Sequence, residues 1–133
     1  MGSSRITIDS HALIWYIDEL LNDKLSDKAL EAIIQAEKNG IIYVPMISLL
    51  EILRLYEKGK LSLSFEDILS RIEGSENYEV VPFDMELLKI SVFVKDLELH
   101  DRLIVATAVM TNTDIISMDR SIRAKSFGTS VIW

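Results

Sequence analysis

The sequence predicts a three-layer α/β/α domain around a central parallel sheet of four to five strands. Three observations carry that expectation. Short β-branched runs alternate with helical runs from Arg5 to the C-terminus, the order that gives parallel strands joined by helical crossovers. Residues Ile41 to Val44 are apolar throughout, as a strand covered on both faces must be. Two acids, Asp9 and Asp119, stand where a strand hands over to a helix, the end of an open parallel sheet at which ligands are held. With 133 residues and 49% hydrophobic content, the chain is expected to form one domain over its whole length.

The elements follow in order. Arg5 to Asp9 alternates as a first strand, and Ser10 to Asp18 continues it with the helical spacing of Leu13, Ile14 and Ile17. Ser26 caps a second helix, whose apolar positions Ala29, Leu30, Ile33 and Ile34 recur at three and four residues until Asn39-Gly40 stops it. The strand Ile41 to Val44 is closed by Pro45, and a helix runs from Met46 to Lys58 before Gly59. A helix over Phe65 to Glu73 ends at Gly74. Tyr78 to Phe83 forms a third strand whose end Pro82 marks, and Asp84 caps a helix from Met85 to about Lys95. A helix from Asp101 to Asn112, a strand from Asp114 to Met118, a short helix from Asp119 to Lys125 and a last strand from Thr129 to Trp133 complete the expectation.

Composition removes several kinds of chemistry. There is no cysteine, which excludes disulfides, thiolate zinc sites and a cysteine nucleophile. The five glycines are dispersed and no phosphate loop, dinucleotide fingerprint or zinc-protease motif occurs. No apolar run approaches the roughly 18 residues of a membrane helix, so the expectation is a cytoplasmic protein without membrane contact. The net charge of -7 opposes unassisted nucleic-acid binding, because phosphate contacts draw on lysine and arginine. One stretch departs from this: Arg120, Arg123 and Lys125 face only Asp119 among residues 119 to 133, giving +2 against -9 for the remainder. A solvated helix face is the ordinary reading of such a run, and a phosphate-contacting patch the functional one.

The acids also carry two readings each. Asp9 and Asp119 suit helix N-caps, worth about 1 kcal/mol, and equally suit a ligand site at the strand ends. Asp101 opens an otherwise apolar helix, where the dipole favours an acid whatever its role. Glu51 belongs to a narrow polar seam with Ser48 and Arg54 on an otherwise apolar helix, either an exposed strip with a Glu51–Arg54 pair or the wall of an acidic cleft. Arg102 reads as a salt-bridge partner. His11 and His100 lack a second nitrogen ligand at motif spacing and read as structural or surface residues. Trp15, Tyr16 and Phe93 lie in apolar helical stretches and read as core or subunit packing rather than as base-stacking groups.

Together these residues resemble the PIN-domain family, and within it the VapC-type toxins. The likeness spans nearly the whole chain. Ile8-Asp9-Ser10-His11-Ala12-Leu13-Ile14-Trp15 is similar to the opening strand and helix, often Asp-Thr-His-x-Leu-Leu-Trp in one VapC-like branch. Ile47 to Ile52 resembles the segment bearing the second acid, followed by the Gly59-Lys60-Leu61 turn. Asp101 to Ala108 resembles the block bearing the third acid, and Ile115-Ile116-Ser117-Met118-Asp119 the strand that usually ends Thr-x-Asp. Leu99-His100-Asp101-Arg102 lacks the Asp-Pro insertion common before the third acid, so the leading loop is shorter.

The resemblance implies a PIN-like fold and a catalytic and metal-binding set of Asp9, Glu51, Asp101 and Asp119, with Ser10 and Ser117 supporting the acids. At about 5 Å and an effective dielectric near 20, each like-charged pair is repelled by roughly 3 kcal/mol, so such a set needs a cation or a proton. Oxygen donors suit Mg²⁺ or Mn²⁺. It further implies an endoribonuclease acting on an RNA substrate, inhibited by a cognate antitoxin, and typically a homodimer. The apolar Met46 to Tyr56 helix is an independent reason to expect a partner surface. Arg120, Arg123 and Lys125 would then be RNA-backbone contacts. The rival readings are a housekeeping PIN nuclease without an antitoxin, a receiver-like Mg-binding α/β module, and a non-catalytic PIN fold that only binds a partner.

Overall fold

A computed structural model describes residues 4–124 and 127–133. Among the described residues, strands β1 (Arg5–Ile8), β2 (Ile41–Pro45), β3 (Tyr78–Val81), β4 (Asp114–Ile116) and β5 (Val131–Ile132) form one sheet. Their order is β3-β2-β1-β4-β5 and every pairing is parallel. Helices α1 (Ser10–Ile17), α2 (Asp27–Asn39), α3 (Met46–Glu57), α4 (Phe65–Glu73), α5 (Met85–Ser91), α6 (Leu99–Thr111) and α7 (Arg120–Ala124) complete a three-layer α/β/α architecture. Because β1 neighbours both β2 and β4, the chain reverses its direction of growth across the sheet between β1 and β4. A crevice opens at the carboxyl ends of such a pair.

Strand alternation sorts the core into two layers. Ile6 and Ile8 of β1, Ile42 and Val44 of β2 and Ile116 of β4 pack with Leu13, Ala29, Ile33 and Ile68 on one side. Ile115 packs with Leu103, Val105, Ala106 and Ile122 on the other. Thr7, wholly buried, points away from its isoleucine neighbours and meets the hydroxyls of Thr113 at 2.6 Å and Thr111 at 3.4 Å. Helix α2 lies on β1, β2 and β5, and α6 on β1, β2 and β4.

Several boundaries differ from the sequence expectation. The second helix does stop at Gly40, but a close approach rather than a left-handed turn demands the glycine. A Cβ there would sit 1.3 Å from the Ser4 carbonyl oxygen. Helix α5 ends at Ser91 rather than near Lys95: the Ser91 hydroxyl donates to the Leu87 carbonyl at 2.8 Å, and Arg102 Nε donates to the Ser91 carbonyl at 2.9 Å. Arg102 therefore caps the end of α5, and the salt-bridge reading gives way to this. Strand β4 ends at Ile116, before Ser117 and Met118. A three-ten helix, Glu19–Lys24, has no counterpart in the expectation. It lacks an apolar period and is held by the Asn22 amide, which donates to the Trp15 and Tyr16 carbonyls at 2.6 and 3.0 Å.

Candidate active site

Asp9 follows β1 directly. Its backbone amide still donates to the Ile116 carbonyl at 3.2 Å, so the β1–β4 ladder fixes where the residue leaves the sheet. It is the N-cap of α1, with Oδ1 accepting from the Ala12 amide at 2.9 Å. Capping uses one carboxylate oxygen, and the residue also lines a cleft of about 310 Å³. Cap and cleft wall are therefore one residue rather than alternatives.

The cleft is lined by Asp9, Ser10, His11, Glu51, Arg54, Glu98, His100, Asp101, Ile104 and Asp119. The four acids singled out in the sequence come together there from β1, α3, α6 and the segment after β4. Asp101 corrects the sequence reading. It does not open α6, which begins at Leu99 behind Glu98, so it caps nothing and sits in the first helical turn. His100 and Asp101 both lie in the first turn of the helix, and His100 Nε2 lies 3.6 Å from Glu51 Oε2. Glu51 is half-buried and faces His100 across the cleft, which supports the cleft-wall reading of the polar seam over an exposed strip. Ser48, in the same seam, is buried with its hydroxyl unpartnered.

Electrostatics reflect the crowding. Burial pushes the Asp9 carboxyl above its ordinary value, with Asp119 adding to the rise, while a hydrogen bond with Ser117, another from the Ala12 amide and the nearby His11 oppose it. Asp101 is pushed up to about 6, first by burial and then by the negative charges of Asp119, Glu98 and Asp9, with His100 opposing. An acid held this far up by burial and then by its acidic neighbours marks a partly desolvated cleft that carries excess negative charge.

Ser117 touches two of the acids: besides its bond with Asp9, its Oγ accepts from the Asp119 amide at 3.0 Å. Ser10 is buried and lines the cleft. Arg120 and Arg123 are exposed on α7, adjoining Asp119, and Lys125 lies outside the described residues. Glu98, His11 and His100 belong to the cleft but were not singled out as ligand or catalytic residues from sequence. Only the step of α6 back to Leu99, invisible in the apolar period that begins at Leu103, brings Glu98 and His100 into it.

The donor set fits a hard divalent cation. Its acids are oxygen donors, open to solvent on one side and mutually repelling. Among the described residues no group of three or more His, Asp or Glu side chains stands at ligand spacing. Asp9, Glu51, Asp101 and Asp119 would hold such an ion directly or through bound water, and it would supply Lewis acidity there.

A family model described as PIN domain matches residues 6–128. The fold is similar to that of VapBC2 from Rickettsia felis bound to a DNA fragment from its promoter, with a TM-score of 0.65, 15% identity and 96% of each chain covered. It is also similar to FitAcB from Neisseria gonorrhoeae, with a TM-score of 0.57, 19% identity and 95% of each chain covered. A toxin-antitoxin complex from Klebsiella pneumoniae matches with a TM-score of 0.55 at 13% identity, covering 92% of this chain and 91% of that one. No curated protein sequence matches the chain significantly. Among the described residues no helix is long and apolar enough to cross a membrane.

Proposed function

The chain belongs to the PIN domain family, and from that premise we propose that it is a metal-dependent endoribonuclease, the toxin of a toxin–antitoxin pair. PIN domains are generally nucleases and generally use divalent metal ions. The observation that carries the proposal is the meeting of Asp9, Glu51, Asp101 and Asp119 in one cleft, where Asp101 is driven up to about 6 by burial and neighbouring acids. Helix caps account for single acids. They do not account for Asp9, Asp101 and Asp119 acting on one another's charge in a cleft that Glu51 also lines.

Asp9, Asp101 and Asp119 would hold Mg²⁺ or Mn²⁺ directly or through bound water, with Ser117 bonding Asp9 through its hydroxyl and Ser10 walling the cleft. The bound cation supplies Lewis acidity, offsetting charge on the phosphodiester and acidifying the attacking water. Hydrolysis forms a bond from the water oxygen to phosphorus and breaks the bond to the leaving oxygen, which departs with a proton. Glu51, which lines the same cleft and lies 3.6 Å from His100, would orient that water and accept its proton. Arg120 and Arg123, with Lys125, supply the cations that a chain of net charge -7 otherwise lacks for the RNA backbone.

The toxin reading draws on partner surface. An apolar groove of about 420 Å³ runs between α3, α4 and β3, lined by Met46, Leu50, Leu53, Phe65, Leu69 and Val80 among others. Cytoplasmic toxins held by an antitoxin and paired as homodimers need such faces, and the Klebsiella pneumoniae relative is a toxin–antitoxin complex. Cleavage of a mixed RNA pool by the purified chain with Mn²⁺, compared with Asp101→Asn, tests the chemistry: loss of cleavage in the variant is expected, and equal cleavage by both would sink the mechanism. Growth arrest on expression, abolished by Asp9→Asn, separates a toxin from a housekeeping nuclease with the same site.

A further inference from the structure

The cleft continues beyond its carboxylates along a line of aromatic rings. In a parallel sheet the residue after each strand lies at the same end of the molecule. The register pairs Ile8 with Ile116 and Ile116 with Ile132, so the next row carries Asp9, Ser117 and Trp133. The Trp133 ring centroid lies 5.9 Å from that of Trp15, inclined at 59°. The Trp15 ring lies 5.8 Å from His11, inclined at 52°. His11 is exposed and lines the carboxylate cleft. Lys24 Nζ stands 5.8 Å over the Trp15 ring.

Trp15 and Trp133 are only partly buried against the core, so part of each ring remains at the surface. The inclination of the three rings matters: an edge-to-face contact covers at most one face of one partner, so each ring keeps a face that this neighbour leaves open, and a nucleobase stacks on such a π-face. Lys24 takes one face of the middle ring, which puts a cation where the phosphate linking bases stacked on the flanking rings would pass.

We propose that His11, Trp15 and Trp133 form a base-stacking track for single-stranded RNA, with Lys24 at its backbone, leading the strand into the carboxylate cleft. The track rests on the ribonuclease reading for what happens in the cleft. It selects unpaired nucleotides, because the bases of a duplex are already stacked on each other and present no free faces. It also resolves a difficulty of composition. A chain of net charge -7 gains little from phosphates, whereas stacking is indifferent to net charge and strengthens binding by a factor of about 5 to 150 per base.

Trp15 and Trp133 are the chain's two tryptophans, so intrinsic fluorescence reports the track directly. The test uses the Asp101→Asn chain with Mg²⁺, titrated with a short unstructured RNA and with the same RNA annealed to its complement. Quenching by the single strand and little by the duplex is expected. Trp133→Leu weakens single-strand binding roughly tenfold with an unchanged melting curve, which a purely structural role would not predict, and Trp133→Phe, which keeps a ring, restores it. His11→Ala, followed through Trp15 and Trp133, weakens it as well. No quenching, equal quenching by the duplex, or unchanged affinity in both Trp133→Leu and His11→Ala overturns the track. RNA bound with quenching yet uncut by the wild-type chain with Mn²⁺ removes the ribonuclease reading and upholds the track. RNA cut by a wild-type chain whose affinity neither substitution alters does the reverse.

Discussion

Asp101 joins the electrostatics of the cleft to the stability of the fold. Its carboxyl rises from an ordinary value of 3.8 to about 6 in the folded chain, chiefly through burial and then through Asp119, Glu98 and Asp9. Between those values the folded state binds the proton more tightly than the unfolded state does, so this residue's contribution to stability falls as pH rises through that window. Asp101→Asn removes the burden. In chelator the variant should melt above the wild type at neutral pH, and the difference should fade as pH falls toward about 4. Thermal melts across pH measure it, and a wild-type chain that melts no lower than the variant at neutral pH contradicts it. Mg²⁺ acts on the same charge from the other side, since a ligand of the folded state alone stabilises it. At neutral pH it should raise the wild-type melting temperature by more than that of Asp101→Asn; an equal rise would place the ion elsewhere.

At the scale of elements, what the sequence made legible was whatever local chemistry decides. Ser26 caps α2 through its hydroxyl and Asp84 caps α5 with its carboxylate, so those starts follow from residue type. The start of α6 does not, because its N-cap, Glu98, makes no side-chain capping bond and Leu99 is 63% exposed, outside any apolar period. Glu98→Ser should supply the missing cap and withdraw one of the charges acting on Asp101. Both effects stabilise, by about 1 kcal/mol from the cap alone, as urea unfolding at neutral pH would show; a variant no more stable than wild type would argue that the α6 start is set by tertiary packing. Contacts far apart in sequence were likewise illegible. Glu37 of α2 accepts from the hydroxyls of Tyr16 on α1 and Tyr78 on β3, each at 2.7 Å, and from Arg71 on α4 at 3.3 Å, yet nothing in the α2 run distinguishes it from an exposed acid. Burial pushes its carboxyl up, but the bonds from Tyr78, Tyr16 and Arg71 outweigh that and hold it below its ordinary value. Glu37→Ala leaves two buried phenols without their acceptor and should lose about 2–3 kcal/mol. A loss under roughly 0.5 kcal/mol would mean that water takes the place of the carboxylate.

Across the whole molecule, the acidic cleft and the apolar groove are both lined from α3, by different faces of that helix. Glu51 and Arg54 look into the cleft, whereas Met46, Leu49, Leu50 and Leu53 line the groove. This is how one helix comes to be apolar around nearly its whole circumference and still present Glu51 to the cleft. Its inner side, Leu49 and Ile52, is core, and the outward Leu50, 55% exposed, has no such explanation within a single chain. An unfilled apolar groove on a folded surface favours association, and a two-fold contact would repeat the groove on both copies. Leu50→Lys places a charge in that contact twice over, on each copy, while leaving the cleft-facing side of α3 untouched. The wild-type chain should therefore sediment as a dimer and Leu50→Lys as a monomer with an unchanged melting curve at low concentration. A variant that stays dimeric would move the two-fold contact off α3 and leave the groove for a different protein, a distinction that matters because a segment bound there would press on α3 directly behind Glu51.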